Sequence, residues 1–96
     1  MTAERQLTPK QRKKLAWWIE RLKQDAFAGD QVPKDRIPLL LGERSGLPGR
    51  LTNAWRVELP LAYRGVYTVQ SGPEGIMVLI LEILSHKAYD KLFGNR

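Results

Sequence analysis

Near its C-terminal end the chain carries the stretch SHKAYDKLFG, Ser85 to Gly94, which groups the only histidine of the sequence with a lysine and a tyrosine. Imidazole takes up and releases a proton near neutrality, with an unperturbed pKa of about 6.5. An ammonium such as that of Lys87 attracts phosphate, and a phenol such as that of Tyr89 stacks on a base or takes part in proton transfer. Two readings of the stretch are open. In one, His86, Lys87 and Tyr89 are a proton-transfer and phosphate-binding cluster. In the other the stretch is a capping turn: His86 donates to a backbone carbonyl, Tyr89 meets it as a local contact on the same helix face, and Leu92 and Phe93 close the core.

The elements that must position these groups follow from composition and periodicity. The 96 residues make one domain of ordinary size, taken here as 1–96, and the 43% apolar and 27% charged fractions are those of a globular chain. The longest apolar run, Ile76 to Leu84, falls short of the roughly 18 residues that span a bilayer. The first residues, MTAERQLTPK, lack the apolar core of a secretion signal, so a cytoplasmic protein without a membrane partner is expected. With no cysteine and one histidine, the sequence excludes disulfides, a thiolate nucleophile and cysteine-ligated metal, and no cofactor is expected.

The net charge of +6 favours polyanionic partners, and it is concentrated: residues 1–24 hold seven basic side chains against two acidic ones. Lys10, Lys13, Lys14 and Arg21 are either nucleic-acid contacts or a solvated helix face.

The segment LTPKQRKKLAWWIERLKQDAFAG reads as a helix with Thr8 at the N-cap, Pro9 at its first position, Gln11 completing a capping box, and a stop at Gly29. Leu15, Trp18 or Ile19, Leu22 and Ala26 form its apolar stripe. Trp17 and Trp18 point about 100° apart, so one of them either widens that stripe or flanks a partner groove. From Gly29 to Gly49 prolines and glycines interrupt any long element, and a short helix or turn is expected around Lys34 to Leu41.

Three strands should follow. Trp55, Val57 and Leu59 alternate with Arg56 and Glu58; Tyr63, Tyr67 and Val69 alternate with Arg64, Val66 and Thr68 after a short turn at Pro60; and the apolar run Ile76 to Leu84 suits a central or doubly covered strand. Ser85 and Gly94 then bracket a short terminal helix. The expected fold is α+β: an N-terminal helix, possibly one arm of a helical hairpin, packed on a three- to four-stranded antiparallel sheet, with a short C-terminal helix.

The succession AWRVELPLAYRGVYTV, an apolar strand and then HKAY resembles the C-terminal half of the RelE/ParE superfamily of small bacterial and archaeal toxins, over roughly residues 51 to 93. The resemblance implies a helical hairpin on an antiparallel sheet and a ribosome-dependent endoribonuclease that cuts messenger RNA and is restrained by a cognate antitoxin. Such cleavage requires no metal, because a ribose 2′-hydroxyl attacks the adjacent phosphorus and the protein supplies a base, cations and an acid.

By position, the resemblance makes Arg56 a cation of the catalytic strand, Arg64 the arginine bracing the phosphate, and Tyr89 the C-terminal tyrosine. Lys87 stands in for an arginine, and His86 is the group suited to serve as base and acid. Lys10, Lys13, Lys14, Arg21 and Arg50 would contact RNA, those of the helix meeting ribosomal phosphates. Glu58 stands two residues from Arg56 on the same strand face, where it is expected to neutralise that arginine and repel phosphate. Other readings stay open: Arg56 and Arg64 as exposed partners of Glu58 or Glu82, and Trp55, Tyr63 and Tyr67 as cross-strand packing. The chain as a whole could be a non-catalytic member of the fold, such as a ParE-like inhibitor of another target or a decayed toxin. An unrelated RNA- or DNA-binding module is the remaining class.

Overall fold

A computed structural model describes residues 7–38, 41 and 51–94. The first element, α1 (Pro9–Gln24), begins as its sequence dictates. The Thr8 side chain accepts from the Gln11 amide at 3.2 Å while the Gln11 side chain accepts from the Thr8 amide at 2.9 Å. The helix ends earlier than the stop expected at Gly29. Asp25 is its C-cap in an extended conformation, and its carboxylate accepts from the Phe27 amide. The reason is tertiary. The Tyr67 hydroxyl donates to the Ala26 carbonyl at 2.9 Å and accepts from the Gly29 amide at 3.1 Å, which bends the chain toward the sheet. A Cβ on Gly29 would lie 2.8 Å from the Arg56 carbonyl oxygen, so only glycine passes there without a shift.

After this bend β1 (Asp30–Gln31) pairs with the next strand, and a 3-10 turn (Lys34–Arg36) follows. This is the turn expected around Lys34 to Leu41, although residues 39 and 40 lie outside the described residues, as do 42–50, so the second arm of a helical hairpin is not among the described elements. Then come β2 (Trp55–Leu59), β3 (Tyr63–Gly72), β4 (Gly75–Ser85) and α2 (His86–Phe93). The four strands form one antiparallel sheet in the order β1-β2-β3-β4.

The apolar run in β4 therefore lies at the sheet edge, so of the two readings, central or doubly covered, only the second holds, and only for its C-terminal half. Its first half leaves Ile76, Met77 and Ile80 exposed, while Leu81, Ile83 and Leu84 in its second half pack against buried clusters. A pattern of apolar side chains reports coverage of the two faces; the order of strands in the sheet depends on which edges find partners.

Both faces of the sheet are covered. On one, α1 packs Leu15, Trp18 and Leu22 against Trp55, Val57, Leu59 and Tyr67. Directly opposed across the β2–β3 ladder, Trp55 and Tyr67 stack at 5.7 Å, so these aromatics serve as cross-strand packing. Trp17, by contrast, is 52% exposed and meets Trp18 edge-on. On the other face α2 lays Tyr89, Leu92 and Phe93 over a cluster built from Val32, Ile37, Leu41, Leu51, Ala54 and Val66. Ser85 caps α2 by accepting from the Ala88 amide, and Gly94 closes it in the left-handed conformation with φ 68°.

The β2–β3 connection, Pro60–Ala62, carries unusual backbone. Leu61 and Ala62 have φ of 65° and 60°, a region that non-glycine residues rarely occupy. Gln11 donates from its side-chain amide to the Pro60 carbonyl, and the His86 amide donates to the Ala62 carbonyl at 2.7 Å. Among the described residues no helix is long and apolar enough to cross a membrane.

Candidate functional site

Because Trp55, Val57 and Leu59 turn toward α1, strand alternation sends Arg56 and Glu58 to the opposite face, beneath α2. The hairpin register sets Arg64 of β3 directly across from Glu58. Arg64 Nε donates to Glu58 Oε2 at 2.9 Å, and His86 Nε2, at the start of α2, lies 3.1 Å from Glu58 Oε1. One carboxylate thus joins an arginine of the sheet to the histidine of the helix.

One helical turn beyond His86, Tyr89 is buried between cations and an aromatic ring. Arg56 Nη1 donates to its hydroxyl at 3.1 Å, the Arg64 guanidinium lies 4.7 Å from its ring centre, and Phe93 stacks on it at 4.2 Å. The hydrogen bond to Tyr89 is the largest influence on Arg56. It raises the guanidinium pKa above its usual value against partial desolvation, and the neighbouring Asp30 and Glu58 charges add to the rise. Arg56 is accordingly a permanent cation.

Arg56, Arg64 and Tyr89 line a cavity of about 590 Å³, whose wall is completed by Gln31, Pro33 and Arg36 on one side and Asp90, Phe93 and Gly94 on the other. Three guanidinium groups against one carboxylate make it an anion-attracting concavity of the size that holds small ligands. Its arginines meet an anion with forked donors, and its edge carries a carboxylate–imidazole pair able to move a proton. Among the described residues no group of three or more His, Cys, Asp or Glu side chains is placed to hold a metal ion.

Four of the five side chains singled out as catalytic therefore converge: Arg56, Arg64, His86 and Tyr89. Lys87 does not join them; it is exposed and outside the cavity lining. Lys10, Lys13, Lys14 and Arg21 lie on α1, which packs on the other face of the sheet, and Lys14 Nζ sits 3.9 Å over the Trp17 ring. Arg50 lies outside the described residues.

The expectation that Glu58 neutralises Arg56 is corrected. Residues two apart on a strand are about 6–7 Å apart, whereas directly opposed residues approach to about 4.5–5.5 Å, so Glu58 takes Arg64. The other reading, Arg64 as a partner of Glu58, is the one the ladder bears out. Arg36, which was not singled out, comes from a segment with no periodicity, and no sequence signal points to it.

A second concavity, of about 720 Å³, lies on the α1 side between the end of that helix and β4, the edge strand among the described residues. It is lined mainly by apolar groups, among them Ile19, Phe27, Ile76 and Ile80. Compared with family models, with curated proteins and with solved structures, the chain matches none.

Proposed function

We propose that the chain is a RelE-like toxin, a metal-independent endoribonuclease that cleaves messenger RNA at the ribosome. The observation that carries this reading is the convergence of Arg56, Arg64 and Tyr89 in one cavity, with His86 tied to its edge through Glu58. In the reaction a ribose 2′-oxygen bonds to the adjacent phosphorus as the bond from phosphorus to the 5′-oxygen breaks. The Glu58–His86 pair takes the proton of the 2′-hydroxyl and returns one to the departing 5′-oxygen. The products are a 2′,3′-cyclic phosphate and a 5′-hydroxyl. Arg64 is held to Glu58 through Nε alone among the described residues, so its two terminal nitrogens are free to meet the non-bridging oxygens whose charge grows in the transition state. Tyr89 fixes Arg56 beside it.

The test is induced expression of the wild-type chain, Arg64→Ala and Glu58→Gln, with mapping of messenger RNA ends. The wild type should arrest growth and produce new 5′-hydroxyl ends, and Arg64→Ala should lose about 10²–10³-fold in cleavage, as expected for one charge-stabilising donor. Wild-type expression without arrest or new ends would sink the reading. Glu58 also favours a second, non-catalytic reading, because it already occupies Arg64 and His86 as a phosphate would. Under the first reading Glu58→Gln cuts less; under the second it gains RNA affinity and cuts no more than before.

The restraining partner fits the other concavity. The groove between α1 and the edge of β4 offers apolar side chains, strand backbone unpaired among the described residues, and Lys23 at its rim, beside the most basic part of the sequence. An acidic antitoxin segment with an apolar face matches that combination. Ile80→Glu should abolish neutralisation by the antitoxin while growth arrest persists. Unchanged neutralisation in that variant would place the partner elsewhere.

A further inference from the structure

Arg36 differs from the other two arginines of the cavity in having no side-chain partner among the described residues. Arg56 is bonded to Tyr89 and Arg64 to Glu58, whereas the Arg36 side chain makes no hydrogen bond or ion pair among the described residues. It is nevertheless not a loosely tethered surface cation. The 3-10 turn that carries it is anchored on both sides by core residues, Val32 at 5% and Ile37 at 1% exposure. The backbone bonds Arg36 N to Pro33 O at 2.9 Å and Ile37 N to Lys34 O at 3.3 Å close the turn.

Its position is also distinctive. Arg36 lines the cavity that contains Arg56 and Arg64, and it lines a more open depression of about 520 Å³ beside it. Phe93 and Gly94 line both as well, so the two concavities meet around the C-terminal end of α2. Each holds one carboxylate, Asp90 in the cavity and Asp35 in the depression, and neither is paired with Arg36. A guanidinium carried on an anchored turn, unpaired among the described residues and placed where two concavities join, suits a chain-like anion that passes through both.

We infer that Arg36 is a second phosphate subsite, which grips the phosphate next to the scissile one on a single RNA strand running from the Arg56–Arg64 cavity past Phe93 and Gly94. This rests on the ribonuclease reading for its substrate, but it is a statement about binding and is tested without cleavage. One phosphate at Arg56 and Arg64 fixes position; a second at Arg36 fixes the direction in which the strand crosses the site. The subsite therefore separates ligands by their number of phosphates.

The probes are a 2′-O-methyl dinucleotide with one internal phosphate and a 2′-O-methyl trinucleotide with two, neither of which has the attacking hydroxyl. Binding is followed by NMR titration at several salt concentrations for the full-length wild type, Arg36→Gln, Arg36→Lys and Arg64→Ala, with thermal unfolding as a check on folding. The wild type should bind the trinucleotide more tightly and with a salt slope steeper by about 0.7, the increment for one additional phosphate on a single strand. Arg36→Gln should remove that increment, bringing the trinucleotide salt slope down to that of the dinucleotide, and weaken trinucleotide binding about fivefold, more than it weakens the dinucleotide. Arg36→Lys should restore the slope, and Arg64→Ala should weaken both ligands.

Arg36→Gln binding both probes as the wild type does would overturn the subsite and leave the ribonuclease reading intact. So would a wild type that binds the two probes equally, or binds neither. If no messenger RNA is cut but the Arg36-dependent increment is present, the ribonuclease reading fails and the subsite stands.

Discussion

On the α1 side of the sheet, Trp55, Val57 and Tyr67 meet a helix through apolar packing, and the concavity there is lined by Ile19, Phe27, Ile76 and Ile80. On the α2 side, the alternate residues of the same strands are Arg56, Glu58 and Arg64, and the concavity they build is cationic. The strands β2 and β3 thus contribute to both faces, and the two-residue period that makes a strand amphipathic also keeps the two chemistries apart. The comparison teaches that a small sheet with one helix on each face has room for two surfaces of opposite character. One suits a polyanion, the other an apolar partner. The basic helix contributes little to the anion site itself, because its lysines are across the sheet from it.

The most severe way to break this separation is to remove a large side chain from the core under α1, where the sheet that carries both faces is packed. Trp55→Ala deletes the ring that stacks on Tyr67 and packs under α1, and should cost about 3–5 kcal/mol in urea denaturation, weakening both surfaces together. A smaller loss confined to the apolar side would show that the faces are independent. Arg64→Ala comes next, and it sharpens the comparison by acting on one face alone. Its activity loss of about 10²–10³-fold should accompany a stability change under about 1 kcal/mol, since the Glu58 pair that it breaks is partly exposed.

The smallest of these effects concerns Tyr67, whose hydroxyl ties the end of α1 to the sheet through Ala26 and Gly29. Tyr67→Phe should cost about 1–3 kcal/mol at neutral pH without changing RNA binding. Burial raises the Tyr67 phenol above its ordinary value of 10.0, against the opposing hydrogen bond from Gly29. The folded chain then keeps a proton that the unfolded chain releases. The associated stability is complete below about pH 10 and is lost as the pH climbs from there through the raised folded value. Denaturation from pH 8 to 11 should show this alkaline loss in the wild type and a flatter profile in Tyr67→Phe; parallel profiles would contradict it.

What the sequence made legible was decided by how local each interaction is. The Thr8–Gln11 capping box and the Ser85 and Gly94 caps of α2 involve neighbours three or four residues apart, and the structure has them where the pattern requires. The early end of α1 was not legible, because its cause is a tyrosine hydroxyl about forty residues further along the chain. The edge position of β4 was hidden for a related reason: unpaired backbone leaves no trace in side-chain alternation. In the site, Arg56, Arg64, His86 and Tyr89 were found by residue type and resemblance. Of the two readings given for Glu58, the pair across the ladder with Arg64 holds over the pair along the strand with Arg56, because directly opposed residues lie closer. Arg36 is brought to the cavity by β1 and its turn, elements too short to announce themselves.

The Pro60–Ala62 turn has a bearing on how the molecule comes apart. Gln11 holds it from the start of α1 and the His86 amide holds it from the start of α2, so one connection is clasped by helices on opposite faces. Its two left-handed residues each cost about 1–2 kcal/mol, strain that is sustained only while both clasps hold. When either helix departs, the turn relaxes and loosens the other, which makes the two chemically unlike faces a single cooperative unit. Native-state hydrogen exchange should accordingly find one opening free energy for the amides of both helices.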